Sequence, residues 1–600
     1  MARIRDISVA GRRYESEVPD TLDLADRARL AIPALTRHLS PEADYGVGDD
    51  AGSLYLAAKF AEALPMVRAM CGDDSDLDVE QAMMASLVSL IDEDGLLYTP
   101  PNTPARRGGA ADGREYAETD EAHTSAYGNA RMMQAMLFWH QRDGDPAWLK
   151  QVQRMADGLR KVAVLKDDYA YYPDGGVAFD FSYLKESGYR NTEEPSSASE
   201  GFEGAALFYN SNQIGALCLW HATSGDRRAL DLARRLTRFV LQPRFWHAGE
   251  SPDVAGAERG HWRGHFHERM ITLRALLWFA MATGDWRLKE FVRASYEHSR
   301  NYGLARIGWN PGWTGPHPLH RNERTCESCG IAGQVGLAVR LSQAGLGDYW
   351  DDVDGYVRNH LVEQQFADPE LIERARSTCY PGSRNWLGGF CGPGRVTSLN
   401  NGYPARCCRG NGAQGLYRAW DGIMRCTNGA AQVNLLLNRA SPWLDVDSHL
   451  PYEGRVVIRN KQARTVAVRL PAWADREAVE SRVGRRRAAP GRVANYLVFE
   501  GVREGEELTV EFPMIEETAE YTVADGAYAD GADGPELPAT RYRCHFKGNT
   551  LVDIAPRDGR KHLSSPEQQP YPIYLRDHYL ADRAPSRRVN RYIAPYSISW

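Results

Sequence analysis

A Gly-Asp dipeptide recurs between apolar helical segments along the first part of the chain, and it limits the folds available. The junctions are Gly144-Asp145, Gly225-Asp226, Gly284-Asp285 and Gly347-Asp348, spaced about 60 to 80 residues apart. Glycine adopts the left-handed conformation that ends one helix, and an aspartate side chain caps the first turn of the next. Each junction therefore predicts a helical hairpin. Hairpins in series predict a superhelical stack or a closed ring.

The connectors between these hairpins are long and do not repeat in sequence. Residues 168–202 are rich in Tyr, Gly, Ser and Glu, and residues 301–325 are rich in Trp, Gly, Pro and His. Long connectors at one end of a scaffold usually carry function. This favours a closed α/α toroid with functional loops over one mouth.

The hydrophobic period changes after Asn428. Apolar and polar residues alternate in RTVAVRL (464–470) and ELTVEF (507–512), a period typical of strands. Because 600 residues exceed a single core of about 250–300 residues, we expect a multidomain α + β chain. The predicted order is an N-terminal strand that pairs with the β region, an α/α toroid, antiparallel β-sandwich domains and a C-terminal extension. The corresponding ranges are 1–20, 21–427, 428–520 for the first sandwich, and 521–600 for the second β region with the extension.

The charge pattern excludes some classes of partner. The net charge is −7 and no block of Lys or Arg occurs, which argues against nucleic-acid and anionic-membrane surfaces. The sequence contains no run of about 18 apolar residues, so no membrane span is predicted. The start MARIRDISVAGRRYESEV lacks the apolar core of a signal peptide, so we expect a cytoplasmic protein. Its ten cysteines are then expected to be mostly reduced.

Four of these cysteines lie just before two predicted helices. Cys326 and Cys329 precede GIAGQVGLAVRL, and Cys407 and Cys408 precede GAQGLYRAW. A helix N-terminus lowers the pKa of a thiol, and Zn²⁺ takes four Cys, His or carboxylate ligands. Three interpretations stay open: a structural site made by all four cysteines, a site in which Glu327 replaces Cys326, and four thiols without metal.

These stretches resemble glycoside hydrolase family 127, the β-L-arabinofuranosidase family. The resemblance rests on Glu327-Ser328-Cys329, on Cys407-Cys408-x-x-Asn411, and on QVNLLL, VRLPAW and VEFPM further along. It implies an (α/α)₆ barrel followed by β-sandwiches. It also implies Zn²⁺ held by Glu327, Cys329, Cys407 and Cys408, with Cys407 as the nucleophile of a retaining mechanism through a thioglycosyl intermediate.

One part of the family pattern is missing. The family carries a general acid/base Glu in the loop before the Glu-x-Cys stretch, whereas residues 309–322 of this chain contain no Asp or Glu. The predicted acid/base candidates are Glu323 and His320, since the pKa of a histidine lies near working pH. The predicted substrate contacts are His123, His265, His267, His317 and Trp309. Asp49 and Asp50 are predicted to cap a helix or to bind sugar hydroxyls.

The predicted function is that of a retaining, exo-acting glycoside hydrolase for a furanosidic, β-L-arabinofuranoside-like sugar. The predicted partner is a small carbohydrate or oligosaccharide, with a homodimer as a further expectation. Two alternatives stay open. One is a non-catalytic carbohydrate-binding protein with the same barrel and a structural zinc, and the other is lyase or epimerase chemistry on the same barrel.

Overall fold

The computed structural model describes residues 6–37, 39, 54–101, 119–174, 181–195, 205–246, 262, 264–314, 325–375, 386–392, 394–399, 406–523, 539–557 and 570–600. The α-helices of these residues are α1 (Leu24–Thr36), α2 (Leu54–Cys71), α3 (Leu77–Ser89), α4 (Ala126–Asp143), α5 (Pro146–Val162), α6 (Ala205–Ser224), α7 (Arg227–Val240), α8 (Phe266–Thr283), α9 (Trp286–Ser299), α10 (Ser328–Gln343), α11 (Trp350–Gly355), α12 (Pro369–Ala375) and α13 (Arg406–Ile423). Helix α11 continues as a π-helical turn over Tyr356–Leu361, and short 3₁₀ turns cover Pro243–Phe245, Arg300–Tyr302 and Asp577–Leu580.

The strands of the same residues fall into short strands beside the barrel and a second group, which joins the N-terminal strand β1 to the strands that follow the barrel in sequence. Short strands beside the barrel are β2 (His123–Ser125), β3 (Val164–Leu165), β4 (Ala170–Tyr171), β5 (Ser182–Leu184), β6 (Gly264–His265), β7 (Trp313–Thr314) and β8 (Ser398–Leu399). The others are β1 (Arg12–Pro19), β9 (Met424–Thr427), β10 (Ala430–Val433), β11 (Leu444–Ser448), β12 (Arg455–Asn460), β13 (Thr465–Arg469), β14 (Glu480–Val483), β15 (Arg486–Arg487), β16 (Gly491–Val493), β17 (Tyr496–Glu500), β18 (Glu507–Glu511), β19 (Glu516–Val523), β20 (Thr540–Lys547), β21 (Thr550–Ala555), β22 (Tyr571–Pro572) and β23 (Ser586–Ile593).

Within the described residues, six helices form a closed inner ring. They follow the order α2, α4, α6, α8, α10 and α13; each packs against the next, and α13 returns to α2. Helices α3, α5, α7, α9 and α11 pack outside the inner helix that precedes them, and α1 covers α13. The architecture is the predicted (α/α)₆ toroid. None of the helices in the described ranges is long and apolar enough to cross a membrane.

Three of the four predicted Gly-Asp junctions form the predicted caps. Gly144, Gly225 and Gly284 have φ values of 68°, 75° and 75°, and each following aspartate accepts a hydrogen bond from a backbone N–H of the next helix.

The fourth junction differs. Helix α10 ends earlier, with Gly345 in the left-handed region (φ 71°). Asp348 accepts from the backbone N–H of Trp350, the first residue of α11, at 3.4 Å, and also from Nε of Arg469 at 2.9 Å. Arg469 is almost fully buried on strand β13, so its charge needs a carboxylate partner. Asp348 thereby joins the toroid to the β region.

The β region contains two five-stranded sheets, ordered β16-β17-β13-β10-β9 and β11-β12-β18-β14-β15, and a three-stranded sheet β19-β20-β21. All of their pairings are antiparallel except the parallel pair β10–β13. The apolar residues of the predicted alternation, Val466, Val468, Leu508 and Val510, are buried as expected. Strand β1 pairs with the C-terminal strand β23. The domain limits given above stay a prediction.

The direction of the inner helices places the functional loops. Because an outer helix separates successive inner helices, the inner helices run parallel and their N-termini open on one mouth. Strands β2 and β5 pair at this end, as do β6 and β7. The helices of the barrel also form buried ion pairs. Glu80, for example, is fully buried on α3 between Nε of Arg68 and Nη1 of Arg142, each at 2.5 Å.

Candidate metal centre and active site

Three cysteine thiols come together at the mouth where the inner helices begin. Cys329 lies in the first turn of α10, and Cys407 and Cys408 lie in the first turn of α13. The two helices approach closely because α13 carries Gly415, where a Cβ would lie 2.8 Å from the Cβ of Ala332. The three sulfur atoms lie within 4.8 Å of one another, and those of Cys329 and Cys408 are 3.1 Å apart.

This donor set fits a tetrahedral metal ion. Zn–S bonds of about 2.3 Å place two sulfur ligands about 3.8 Å apart, within the spacing of these thiols. Burial raises the pKa of Cys329 and Cys408 well above the ordinary value. Hydrogen bonds from Cys329 and then Cys408 lower the pKa of Cys407 well below it, so the cluster by itself holds one thiolate. A divalent cation would supply the charge that three thiolates need.

Asn411 and His267 support the thiols from the barrel interior. Nδ2 of Asn411 donates to Sγ of Cys329 at 3.1 Å and to Nε2 of His267 at 3.1 Å. The His267 ring therefore carries its proton on Nδ1, which donates to the carbonyl of Cys329 at 2.9 Å. Burial, followed by the charge of His265, lowers the pKa of His267 well below its ordinary value, which keeps this ring neutral.

Glu327 lies beside the thiols and contacts His265. Its Oε2 is 2.8 Å from Nε2 of His265, whose Nδ1 is 3.4 Å from Oε1 of Glu268. Burial disfavours the charged imidazole, but Glu327 and then Glu268 outweigh it and raise the pKa of His265 well above the usual range. The Glu327 carboxylate is thus oriented by a charged histidine, outside the compact group of three sulfurs.

Cys326 is not part of the thiol group. Its fully buried thiol lies 4.0 Å from the carbonyl of Glu327, and its backbone pairs with Gly394 in a short antiparallel bridge. Because this segment is extended and precedes the helix, Cys326 does not follow the helical spacing that carries Cys329 to the cluster. Among the described residues, the four-cysteine alternative is therefore not assembled.

The remaining residues predicted for the site lie in different environments. His123 lies on β2 before the inner helix α4, half-buried, with burial lowering its pKa. Trp309 is only 2% exposed, so its ring is packed inside the protein. The predicted residues Asp49, Asp50, His317, His320 and Glu323 lie outside the described residues.

Sequence reasoning missed the ring that lies beside His265. Trp313 stands opposite His265 in the β6–β7 pair, and the two rings stack 4.7 Å apart with an interplanar angle of 14°. This pairing joins segments nearly fifty residues apart, and no local pattern signals it. Asn411, by contrast, follows Cys407 and Cys408 at helical spacing and could have been assigned to the same face.

The fold and site define a class of protein: an (α/α)₆ toroid with β-sandwiches and a thiol cluster at the toroid mouth. No known protein-family profile matches the chain, and no curated protein matches its sequence. Solved structures do. A glycoside hydrolase family 127 β-arabinofuranosidase has a TM-score of 0.55 and 16% identity over 88% of this chain and 80% of that one.

Two further structures agree. A family 127 β-L-arabinofuranosidase from Geobacillus stearothermophilus T6 has a TM-score of 0.54 and 15% identity over 89% of this chain and 80% of that one. A protein described as a glycoside hydrolase has a TM-score of 0.57 and 12% identity over 90% and 83% of the two chains. The chain therefore has the fold of the family 127 glycoside hydrolases, as the sequence resemblance predicts.

Proposed function

We propose that the protein is a retaining, exo-acting glycoside hydrolase for a furanosidic, β-L-arabinofuranoside-like sugar, with Cys407 as its nucleophile. The observation that carries the proposal is the convergence of Cys329, Cys407 and Cys408 at the toroid mouth, with all sulfurs within 4.8 Å. The solved structures that share the fold include two described as β-arabinofuranosidases, which supports a carbohydrate substrate.

In this proposal Glu327, Cys329, Cys407 and Cys408 hold Zn²⁺, which when bound keeps the thiols deprotonated at neutral pH. Hydrogen bonds behind the ligands support the assignment: His265 donates to Glu327, and Asn411 donates to Cys329. Such outer partners fix the orientation of metal ligands in characterised sites.

Cys407 is the thiol best suited to attack. It is partly exposed, whereas Cys329 and Cys408 are fully buried, and the hydrogen bonds from those two thiols favour its thiolate. The thiolate attacks the anomeric carbon while the leaving oxygen takes a proton from a general acid. Water then displaces Cys407 from the thioglycosyl intermediate, giving net retention of configuration.

The acid/base role falls to the candidates that the sequence offers, Glu323 and His320. For contact with the sugar, the stacked rings of His265 and Trp313 are the better candidates, since both are partly exposed at the mouth. His267 is occupied by Asn411 and the Cys329 carbonyl, which favours a positioning role.

The test combines metal analysis with hydrolysis of p-nitrophenyl β-L-arabinofuranoside by the wild type, Cys407→Ala and Cys426→Ala. Cys426 is also a partly exposed thiol, but it lies on β9 away from the cluster. We expect about one zinc per chain in the wild type and in the Cys426 variant. We expect Cys407→Ala to lose roughly 10⁴-fold or more in kcat.

Two results would count against the proposal. Hydrolysis by Cys407→Ala within about tenfold of the wild type would remove Cys407 as the nucleophile. A wild type that binds zinc but cleaves none of a panel of furanosides would favour the non-catalytic alternative. Glu323→Gln and His320→Ala then identify the acid, since its loss slows poor leaving groups more than good ones.

A further inference from the structure

On the inner helices, a stripe of polar residues runs from the mouth that holds the thiol cluster, here called the thiol mouth, towards the opposite end of the barrel. On α13 the stripe runs from Cys407 through Asn411 and Gln414 to Arg418 at helical spacing. Arg418 follows Cys407 by eleven residues, which is about 16 Å along a helix. Helix α8 carries Arg274 and Trp278 at the corresponding depth, beyond His267. The stripe thus changes from thiol and amide groups to arginines.

A cavity of about 260 Å³ opens at this far end, between α8 and α10. Its lining includes three arginines, Arg274, Arg340 and Arg425, together with Trp278. Arg274 and Trp278 also line a smaller void further in, with Arg418 and Trp600. We call the outer cavity with these four arginines the arginine pocket.

The arginines of this pocket lack acidic partners. Among the described residues, no carboxylate lies within ion-pair distance of Arg274, Arg340 or Arg418. The carboxylate that interacts electrostatically with Arg274 and Arg418 is that of Glu62. It is already bound by Nη2 of Arg131 at 2.7 Å and by Nε2 of Gln414 at 3.0 Å. The carboxylate that interacts electrostatically with Arg340 is that of Asp421, and burial raises the pKa of Asp421.

Donor groups in the pocket are also unused. Arg418 is only 4% exposed; it donates to Oε1 of Gln414 at 2.7 Å, but its Nε has no hydrogen-bond partner. Nε of Arg340 is likewise buried without a partner. A buried guanidinium with unpaired N–H groups is costly unless a ligand satisfies it.

The pKa shifts of these arginines also indicate that their charges are not compensated. Burial, followed by the charge of Arg131, lowers the pKa of Arg274 to about 10. Burial lowers the pKa of Arg340 to about 10 as well, and burial with repulsion from Arg274 lowers that of Arg418 well below its ordinary value. The cations therefore destabilise one another, and a bound anion would remove that repulsion.

Two indole rings fix the guanidinium groups in place. The Arg340 guanidinium lies 4.9 Å from the ring of Trp278 and 4.2 Å from that of Trp600, and Arg418 lies 5.3 Å from Trp600. Stacking occupies a face of a planar guanidinium and leaves its N–H edge available. Arginine edges bind phosphate oxygens in pairs, with a geometry that lysine does not offer.

We propose that the arginine pocket binds an oxyanion, a phosphate group in preference, through Arg274 and Arg340, with Arg418 behind them and Arg425 at the rim. This site lies at the end of the barrel opposite the thiol cluster. It is independent of the glycosidase proposal, and neither depends on the other.

The test is calorimetric titration of the full-length protein with sodium phosphate, at an ionic strength held constant with chloride. The variants are Arg274→Met and Arg340→Met, which keep an unbranched apolar stem. The matched control is Arg287→Met, since Arg287 stacks on Trp286 at 5.6 Å on the exposed face of α9. We expect saturable binding to the wild type and the control, and a Kd at least tenfold weaker in both pocket variants.

Three results would overturn the proposal: no saturable phosphate binding by the wild type, equal affinities in all four proteins, or loss of binding in Cys407→Ala, which would place the anion at the thiol mouth. Should the pocket variants fail to fold, Arg425→Met changes an exposed rim residue and is expected to weaken binding a few-fold. Without phosphate, Arg274→Met is expected to melt no lower than the wild type, because a repelling charge is gone.

Discussion

Replacing Asn411 by Ala is expected to weaken zinc binding without touching a zinc ligand. Nδ2 of Asn411 donates to Sγ of Cys329 and to Nε2 of His267, both at 3.1 Å, and the side chain is 3% exposed. The variant loses a hydrogen bond to a thiolate ligand and frees the His267 ring that positions the Cys329 backbone.

The size of the effect follows from the type of bond lost. A hydrogen bond to a charged group contributes about 1.5–3 kcal/mol, and about 1.4 kcal/mol corresponds to a tenfold change in a binding constant. Zinc affinity should therefore fall roughly 10- to 100-fold, the range seen when outer partners of metal ligands are removed. Activity should recover when zinc is added in excess.

The assay is competition for zinc against a chromophoric chelator at neutral pH under reducing conditions. The control is Asn434→Ala. Asn434 is 4% exposed, donates to the carbonyl of Gly422 at 3.0 Å and accepts from Tyr496 Oη at 2.8 Å, in the β region. It should lower the melting temperature but leave zinc affinity unchanged. If both variants bind zinc within about twofold of the wild type, the support assigned to Asn411 is wrong.

Further predictions concern stability. Glu80→Gln should cost about 3–5 kcal/mol in urea unfolding because it leaves two buried arginines, Arg68 and Arg142, without a carboxylate partner. Glu290→Gln, in an exposed pair with Arg293, should cost under about 1 kcal/mol, and equal costs would contradict the burial argument. Burial opposes ionisation of Glu80, but its two arginines outweigh burial and lower its pKa below the ordinary 4.5. Its contribution should be complete above about pH 4.5 and disappear as pH falls through the lowered pKa, so Glu80→Gln should flatten that acid limb. Gly388→Ala should destabilise far more than Gly144→Ala: both have positive φ, but a Cβ at Gly388 meets the Leu30 carbonyl oxygen at 1.7 Å, while that at Gly144 meets nothing. Similar melting temperatures for the two glycine variants would show that the Leu30 carbonyl does not exclude a Cβ at position 388.

The helical half of the fold could be predicted because its signals are local. A left-handed glycine and a capping aspartate act within a few residues, and three of the four junctions form as expected. The fourth differs because α10 ends at Gly345 instead of Gly347, and Asp348 shares its carboxylate between the Trp350 N–H and Arg469, which lies more than a hundred residues further along. A partner so distant in sequence cannot be predicted from the local pattern.

The site shows the same division. Cys329, Cys407 and Cys408 were identifiable because each lies at a helix start, and parallel inner helices bring such starts to one mouth. The role of Cys326 could not be decided from its CxxC spacing, because the choice depends on where the helix begins. The stacking of Trp313 on His265 depends on the pairing of two short strands, which the intervening sequence does not encode.

The central claim is that the Cys407 thiolate attacks the sugar. Its most direct test is peptide mass spectrometry of zinc-loaded protein, quenched with acid during turnover of p-nitrophenyl β-L-arabinofuranoside. We expect a pentosyl adduct on the peptide that carries Cys407, located on that residue by fragmentation and absent in Cys407→Ala. Turnover with no adduct on Cys407, or an adduct on another residue, would contradict it.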